Sequence, residues 1–187
     1  SVIILSYNRP HNLKKTLPVL NSNPNIAEII VGHGSKKNYR EFKYSKVKNI
    51  KDYKNNEIYG GARRWFLIEH CKNDIILFLD DDMLPSDELI KNAYNRIIKE
   101  NKNTIYGIFK RGCYKTGYEW DVKNNRYNYI ITGLSFINKN VIQAYLNKQF
   151  KYDKAWLIKN KGNCEDLHLN KFVLNFFREK PIFVEGK

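Results

Sequence analysis

The chain is short of cysteine, short of acids and without a long apolar run, and each shortage narrows what it can be. Cys71, Cys113 and Cys164 are odd in number, widely separated and in no ligand-like spacing, so they read as three reduced thiols packed in a protein of a reducing compartment. No stretch approaches the roughly 20 apolar residues of a membrane span. No signal peptide is visible, and no Asn-x-Ser/Thr acceptor occurs. A cytoplasmic protein is expected. Asp and Glu number 19 against 33 Lys and Arg, a net charge of +14 that favours anionic partners: nucleotides, nucleic acid, acidic glycans or a membrane surface. Many lysines sit among Asn and Tyr, as in Lys46 to Asn56, and this compositional drift weakens charge as a functional sign. The first residue is not Met and the sequence opens as a strand, as in a domain cut from a longer polypeptide.

What is present is material for one domain: 187 residues, 14% of them aromatic, with no linker, repeat or low-complexity tract. Its most apolar run, Ile75-Ile76-Leu77-Phe78-Leu79, has the length and β-branched character of a strand buried on both faces of a parallel sheet. Asp80-Asp81-Asp82 ends that run, at the sheet's carboxyl edge, where open α/β sheets bind their ligands. Three adjoining carboxylates repel one another unless a cation or ligand offsets them, and oxygen donors suit Mg²⁺ or Mn²⁺ carrying a substrate's phosphates. A solvated Asp-rich turn is the plainer reading. Ser86 caps the next helix, with Asp87 and Glu88 at its positive end.

Periodicity predicts strands over Val2 to Leu5, Ala27 to Val31, Val47 to Ile50 and Ile75 to Leu79. Helices are expected over His11 to Leu20, Gly61 to Cys71 and Asp87 to Lys99. Short strands follow over Thr104 to Phe109, Cys113 to Gly117, Tyr127 to Ile131 and Ser135 to Ile137. Helices over Asn140 to Leu146 and Glu165 to Phe177 and a last strand over Pro181 to Val184 complete the pattern. Val2-Ile3-Ile4-Leu5-Ser6-Tyr7-Asn8-Arg9-Pro10, Gly61-Ala62-Arg63-Arg64, the Asp triplet and Glu165-Asp166, in this order, resemble the GT-A glycosyltransferases, especially the family 2 group, over nearly the whole chain. The fold so implied is a Rossmann-like three-layer α/β sandwich with a mainly parallel central sheet and a small antiparallel acceptor-side region. It forms one domain over 1–187, with 1–100 as the nucleotide-sugar half and 101–187 as the acceptor half.

The resemblance also implies roles. Ser6, Tyr7, Asn8 and Arg9 lie by the base and ribose of a nucleotide sugar, by default a UDP-sugar; a Tyr face can stack on a base, or Tyr7 belongs to the core. The second strand lacks the family's terminal acid, and His33 either contacts the base in its place or is a turn residue. Gly60 and Gly61 let backbone approach the donor, Arg64 pairs with the diphosphate or contacts the base, and Arg63 is a solvated helix residue. Asp82 is the direct ligand of Mn²⁺ or Mg²⁺, Asp80 reaches the ribose or a metal-bound water, and Asp81 is the variable middle. Asp166, with Glu165 as runner-up, is the general base of an inverting transfer, or the pair is a helix cap. His168 is a third metal ligand or a packing residue. Gly133 leaves room beside the reacting sugar, and Trp156 and Trp120 stack on a sugar or pack in the core. The acceptor is a hydroxyl of a glycan or glycoconjugate. The rival class is a metal-dependent nuclease or nucleic-acid-binding domain, but no nucleic-acid-binding motif accompanies the charge. A nucleotidyltransferase would need a Gly-rich loop that Leu5 to Pro10 lacks.

Overall fold

The structure, a computed structural model, describes residues 1–115, 117–120, 122 and 126–185; residue 116, inside one expected strand, lies outside them. The apolar runs form β1 (Val2–Ser6), β2 (Ile29–His33), β3 (Val47–Lys51) and β4 (Ile75–Leu79). β1 pairs in parallel with β2 and β4, and β2 with β3. Successive side chains of β1 enter opposite layers, Val2 and Ile4 one core and Ile3 the other, which is why Val2 to Leu5 are all apolar.

Helices α1 (Leu13–Ser22), α2 (Tyr53–Tyr59) and α3 (Asp87–Glu100) accompany these strands. The first core is closed by Leu13, Leu17 and Leu20 of α1 and by Leu89, Ala93 and Ile97 of α3. Ser86 caps α3 by accepting a hydrogen bond from the Leu89 amide at 3.1 Å, an interaction worth about 1 kcal/mol. The chain continues through β5 (Ile105–Gly107), β6 (Lys110–Tyr114), β7 (Gly117–Glu119), β8 (Tyr129–Ile130) and β9 (Leu134–Asn138). It ends with α4 (Lys139–Lys148), α5 (Phe150–Lys159), α6 (Glu165–Phe172), a π turn (Val173–Phe177) and β10 (Ile182–Phe183). The second core packs Trp65 and Ile68 against Val141 and Tyr145 of α4, Leu157 of α5 and Leu169 of α6. The result is a three-layer sandwich.

The central sheet has seven strands in the order β10-β5-β9-β4-β1-β2-β3, all parallel except β9. β7-β6-β8 form the small antiparallel sheet expected on the acceptor side. Among the described residues no helix is long and apolar enough to cross a membrane.

The elements differ from expectation in four places. The strand expected from Cys113 to Gly117 instead falls across the end of β6, which stops at Tyr114, and the start of β7 at Gly117. The helix expected from Gly61 to Cys71 is instead a 3₁₀ segment, Gly60–His70, and with α2, which no expectation covered, it makes one interrupted helical stretch. Gly60 breaks it: its φ of +50° and the lack of a side chain let its backbone meet the carbonyl of Lys161. The approach granted by Gly60 is therefore to the protein's own 161–162 loop, not to the donor. Helix α5 has no counterpart in the sequence reading, because its only buried residues are Leu157 and an acid, Asp153, which leaves no apolar stripe. The last expected helix divides into α6 and the π turn.

Candidate active site

The carboxyl ends of β1, β2, β3 and β4 define one edge, and the charged residues gather there. Asp80 continues β4, its amide donating to the Gly133 carbonyl at 2.7 Å. A Cβ at position 133 would overlap the Asp80 carboxylate, so the space at Gly133 is taken by that side chain. Arg64 reaches the same group from the 3₁₀ segment, Nη2 to Asp80 Oδ1 at 2.9 Å, while Nη1 donates to the Thr132 carbonyl at 3.3 Å. Its Nε lies 3.5 Å from Glu165 Oε1 at the start of α6. One buried guanidinium therefore joins the end of β4, the turn before β9 and the first turn of α6.

Arg9 closes the other side. It donates to Asp81 Oδ1 at 2.6 Å and to Asp82 Oδ2 at 3.0 Å, tying the loop after β1 to the loop after β4. The repulsion within the triplet is thus offset by arginines, so repulsion alone does not demand a metal ion. Burial pushes the Asp81 carboxyl up, against the pull of Arg9 and with Asp82 and Asp80 adding to the rise. Among the described residues no cluster of three or more His, Cys, Asp or Glu side chains can hold an ion. The donor set at Asp80 and Asp82 is all hard oxygen, with Asp82 partly open to solvent. That set fits Mg²⁺ or Mn²⁺, which usually complete their shells with water and substrate phosphate.

Glu165 and Asp166 open α6, where the helix dipole favours anions. Asp166 Oδ1 accepts from the Leu167 amide at 2.9 Å. Asn170, one turn on, donates to the Asp166 carbonyl at 2.8 Å and makes two bonds to the backbone of Ile130, hooking α6 onto β8. That hook places the Asp166 carboxylate beside Tyr129, whose phenol is driven up by burial and by Asp166. Nothing in the sequence marked Asn170, since a lone Asn in a helix has no signature.

Glu165 is pushed up to about 7, chiefly by burial and further by Asp166 and Asp80, against Arg64. Its ordinary value is 4.5, so between 4.5 and about 7 the folded protein keeps a proton that the unfolded chain has lost. Stability falls as pH rises through that window, by a few kcal/mol at most from this group. Glu165→Gln should flatten this decline. Urea unfolding at about pH 5 and about pH 8 checks it, and an unchanged slope in the variant would assign the pH dependence elsewhere.

The other sequence-named residues divide. Tyr7 is 49% exposed, so it is not a core residue, and Asn8 accepts from Asn38 at 3.3 Å in the same loop. Ser6 is buried, and its carbonyl accepts from Gly34 and from Arg63. His33 is buried inside β2's layer, Nε2 at 3.0 Å from Asn49 and the ring between Tyr39 and Phe42. It presents no open ring to a base, and burial lowers its pKa below the ordinary value. Gly61 faces the Glu165 carboxylate. His168 turns to Asp153 at 3.2 Å rather than to the Asp triplet, and Trp156 packs on His168 at 4.8 Å. Trp120 is exposed near the guanidinium of Arg111. Cys113 is exposed, in contrast to the packing role expected of it.

Arg63 corrects the sequence reading most. Far from being solvated, it is 1% exposed and reaches Gly32 O at 3.2 Å, Ser6 O at 3.4 Å and Asp52 Oδ2 at 3.4 Å. It pins the ends of β1, β2 and the residue after β3 together under the Tyr7 loop. Burial lowers the Arg63 pKa and raises that of Asp52, so desolvation outweighs their attraction.

A mainly parallel sheet with an Asp triplet and basic side chains at its carboxyl edge, and a small antiparallel region beyond, defines the GT-A glycosyltransferase class. Within that class the chain belongs to glycosyl transferase family 64, whose domain model matches residues 1–187; the motif resemblance had pointed to family 2 of the same fold. The chain is similar to the exostosin-like-3 homolog of Caenorhabditis elegans, 28% identical over 117 residues, which is 61% of this chain but 14% of that protein. It therefore spans a small part of that relative. Among solved structures it is similar to S. aureus TarS 1-349, with a TM-score of 0.59 and 14% identity over 100% of this chain and 58% of the other. The same protein in complex with UDP-GlcNAc gives a TM-score of 0.52 and 19% identity over 76% of this chain and 46% of the other. A 2-C-methyl-D-erythritol 4-phosphate cytidylyltransferase of Francisella tularensis gives 0.61 at 17% identity, covering 100% of this chain and 89% of that one. A cytidylyltransferase sharing the layout means that fold alone does not choose the reaction.

Proposed function

We propose that this domain transfers a sugar from a nucleoside diphosphate sugar to a hydroxyl of a glycan or glycoconjugate. The observation that carries the reading is the convergence of the Asp triplet, Arg64 and Glu165-Asp166 on one sheet edge, in a chain matched along its full length by family 64. A uridine donor is favoured by the UDP-GlcNAc complex of TarS. In this reading the half over 1–100 holds the donor: Tyr7 and Asn8 meet the nucleoside, while Arg9 and Arg64 turn from their aspartates toward the diphosphate. Asp82 and Asp80 would hold Mn²⁺ or Mg²⁺, which when bound offsets negative charge on the departing diphosphate. Asp166 takes the proton of the acceptor hydroxyl. Its neighbour Tyr129 and the small antiparallel sheet flank the acceptor, with Trp120 exposed as a surface for a sugar face. The free thiols suit a reducing, cytoplasmic setting.

Melting measured with Mn²⁺ and UDP-GlcNAc together should rise by several degrees, as expected when a ligand binds only the native state. Asp82→Ala should abolish that rise while leaving the ligand-free melting temperature within a few degrees, because the side chain is about half open to solvent and its ion pair with Arg9 is exposed. A panel of other nucleotide sugars extends the assay. A shift with duplex DNA and none with any nucleotide sugar would replace the reading by the nuclease one.

A further inference from the structure

Helix α5 and the π turn form a face that the donor chemistry does not use. Tyr152 and Trp156 stand four residues apart on α5, hence on one side of it, and are 69% and 42% exposed. Phe176 is 52% exposed and stacks on Phe172 at 5.0 Å. His168 connects the two parts, touching the Trp156 ring and lining with Phe176, Lys148 and Lys171 a groove of about 390 Å³. Lysines alternate with the rings: Lys151, Lys154 and Lys159 are also exposed on α5. The helix's acid is turned inward, where Asp153 accepts from Tyr145 at 3.1 Å and Gln149 at 3.0 Å and faces His168. No acid is exposed on α5.

Two kinds of partner cover exposed rings, and composition separates them. The core of a protein interface is depleted of lysine. Lysine interleaved with Trp, Tyr and Phe is instead the composition of a helix lying on an anionic bilayer, where rings enter the boundary below the headgroups and lysine stems extend their ammonium groups to phosphates. We propose that this face, built on Tyr152, Trp156 and Phe176 and ringed by Lys148, Lys151 and Lys171, docks the protein on an anionic phospholipid surface. The contact of Trp156 with His168, two residues beyond Asp166, holds that end of the cleft close to the bilayer. The inference does not depend on the identity of the donor.

The test is co-sedimentation of the whole chain with phosphatidylcholine vesicles, with and without phosphatidylserine. Binding is expected to require phosphatidylserine. Tyr152→Ser with Phe176→Ser should weaken it roughly tenfold by removing apolar insertion. Lys148→Glu with Lys171→Glu should weaken it on the order of tenfold or more. Lys36→Glu with Lys37→Glu changes the net charge equally in another exposed loop and should cost less than about threefold, since charges beyond a Debye length are screened. Equal loss in that control means adsorption by net charge and overturns the proposal. Binding indifferent to the ring substitutions, or absent from phosphatidylserine vesicles, overturns it too. Tyr152→Ser alone, at the most exposed of the rings, keeps the test sound if the double variant melts early.

Discussion

Asp166→Asn is expected to leave nucleotide-sugar binding in place and to reduce transfer by roughly 10²–10⁴-fold, the usual contribution of a positioned general base. The substitution keeps the shape of the side chain and an oxygen for the Leu167 amide, so α6 should still start where it does. It removes the negative charge beside Tyr129, and with it the base proposed for the acceptor's proton. Isothermal titration with the donor, set beside single-turnover transfer, separates binding from chemistry. If turnover persists, the base lies elsewhere, and Glu165→Gln becomes the next variant. The configuration of the product, read by NMR at the anomeric carbon, sharpens the result. A base at Asp166 requires inversion; retained configuration would leave Asp166 stabilising positive charge on the reacting sugar instead.

Arg63→Leu should destabilise the protein by about 3–5 kcal/mol, the range for removing one partner of a buried ion pair. Three attachments are lost together: the carbonyls of Ser6 and Gly32 lose the guanidinium, leaving Ser6 only the Gly34 amide, and Asp52 stays buried without its cation. Burial already raises the Asp52 pKa, and without Arg63 it should rise further. The folded variant then holds a proton over a wider pH range than the unfolded chain, so its deficit should grow as pH increases. Replacing Asp52 by Leu as well should recover part of the loss, because an apolar pair avoids desolvating charge. A deficit below about 1 kcal/mol in urea unfolding would show the pair to be structurally idle. In an ordinary core such a pair is poor value; here it locks the strand ends beneath the loop that carries Tyr7 and Asn8. A higher KM for the donor is accordingly expected in any variant that still folds.

Much of this was legible in one dimension because its cause is local. β1, β2 and β4 announce themselves through apolar, largely β-branched runs, and Ile75–Leu79 is read to the residue. Ser86 and the acids after it mark the start of α3, since a cap depends on a few neighbouring atoms. The order of the Tyr7 loop, Arg64, the Asp triplet and Glu165-Asp166 suffices for the GT-A class, because a parallel sheet brings its strands' carboxyl ends to one edge. Charge state and partner are different. Arg63 and Arg64 are adjacent and chemically identical, yet one is sealed against Asp52 and the other spans Asp80 and Glu165. Their fates depend on residues distant in sequence. The same holds for the Asn170 hook, for His33 turned inward against Asn49, for Arg9 across the triplet and for the outward face of α5. Periodicity and caps are properties of neighbours along the chain, and so the sequence by itself determined the class and most of the elements, α5 and α2 excepted. Burial and pairing are properties of neighbours in space, and only the tertiary structure decided which charges meet, which are hidden and which face is left open.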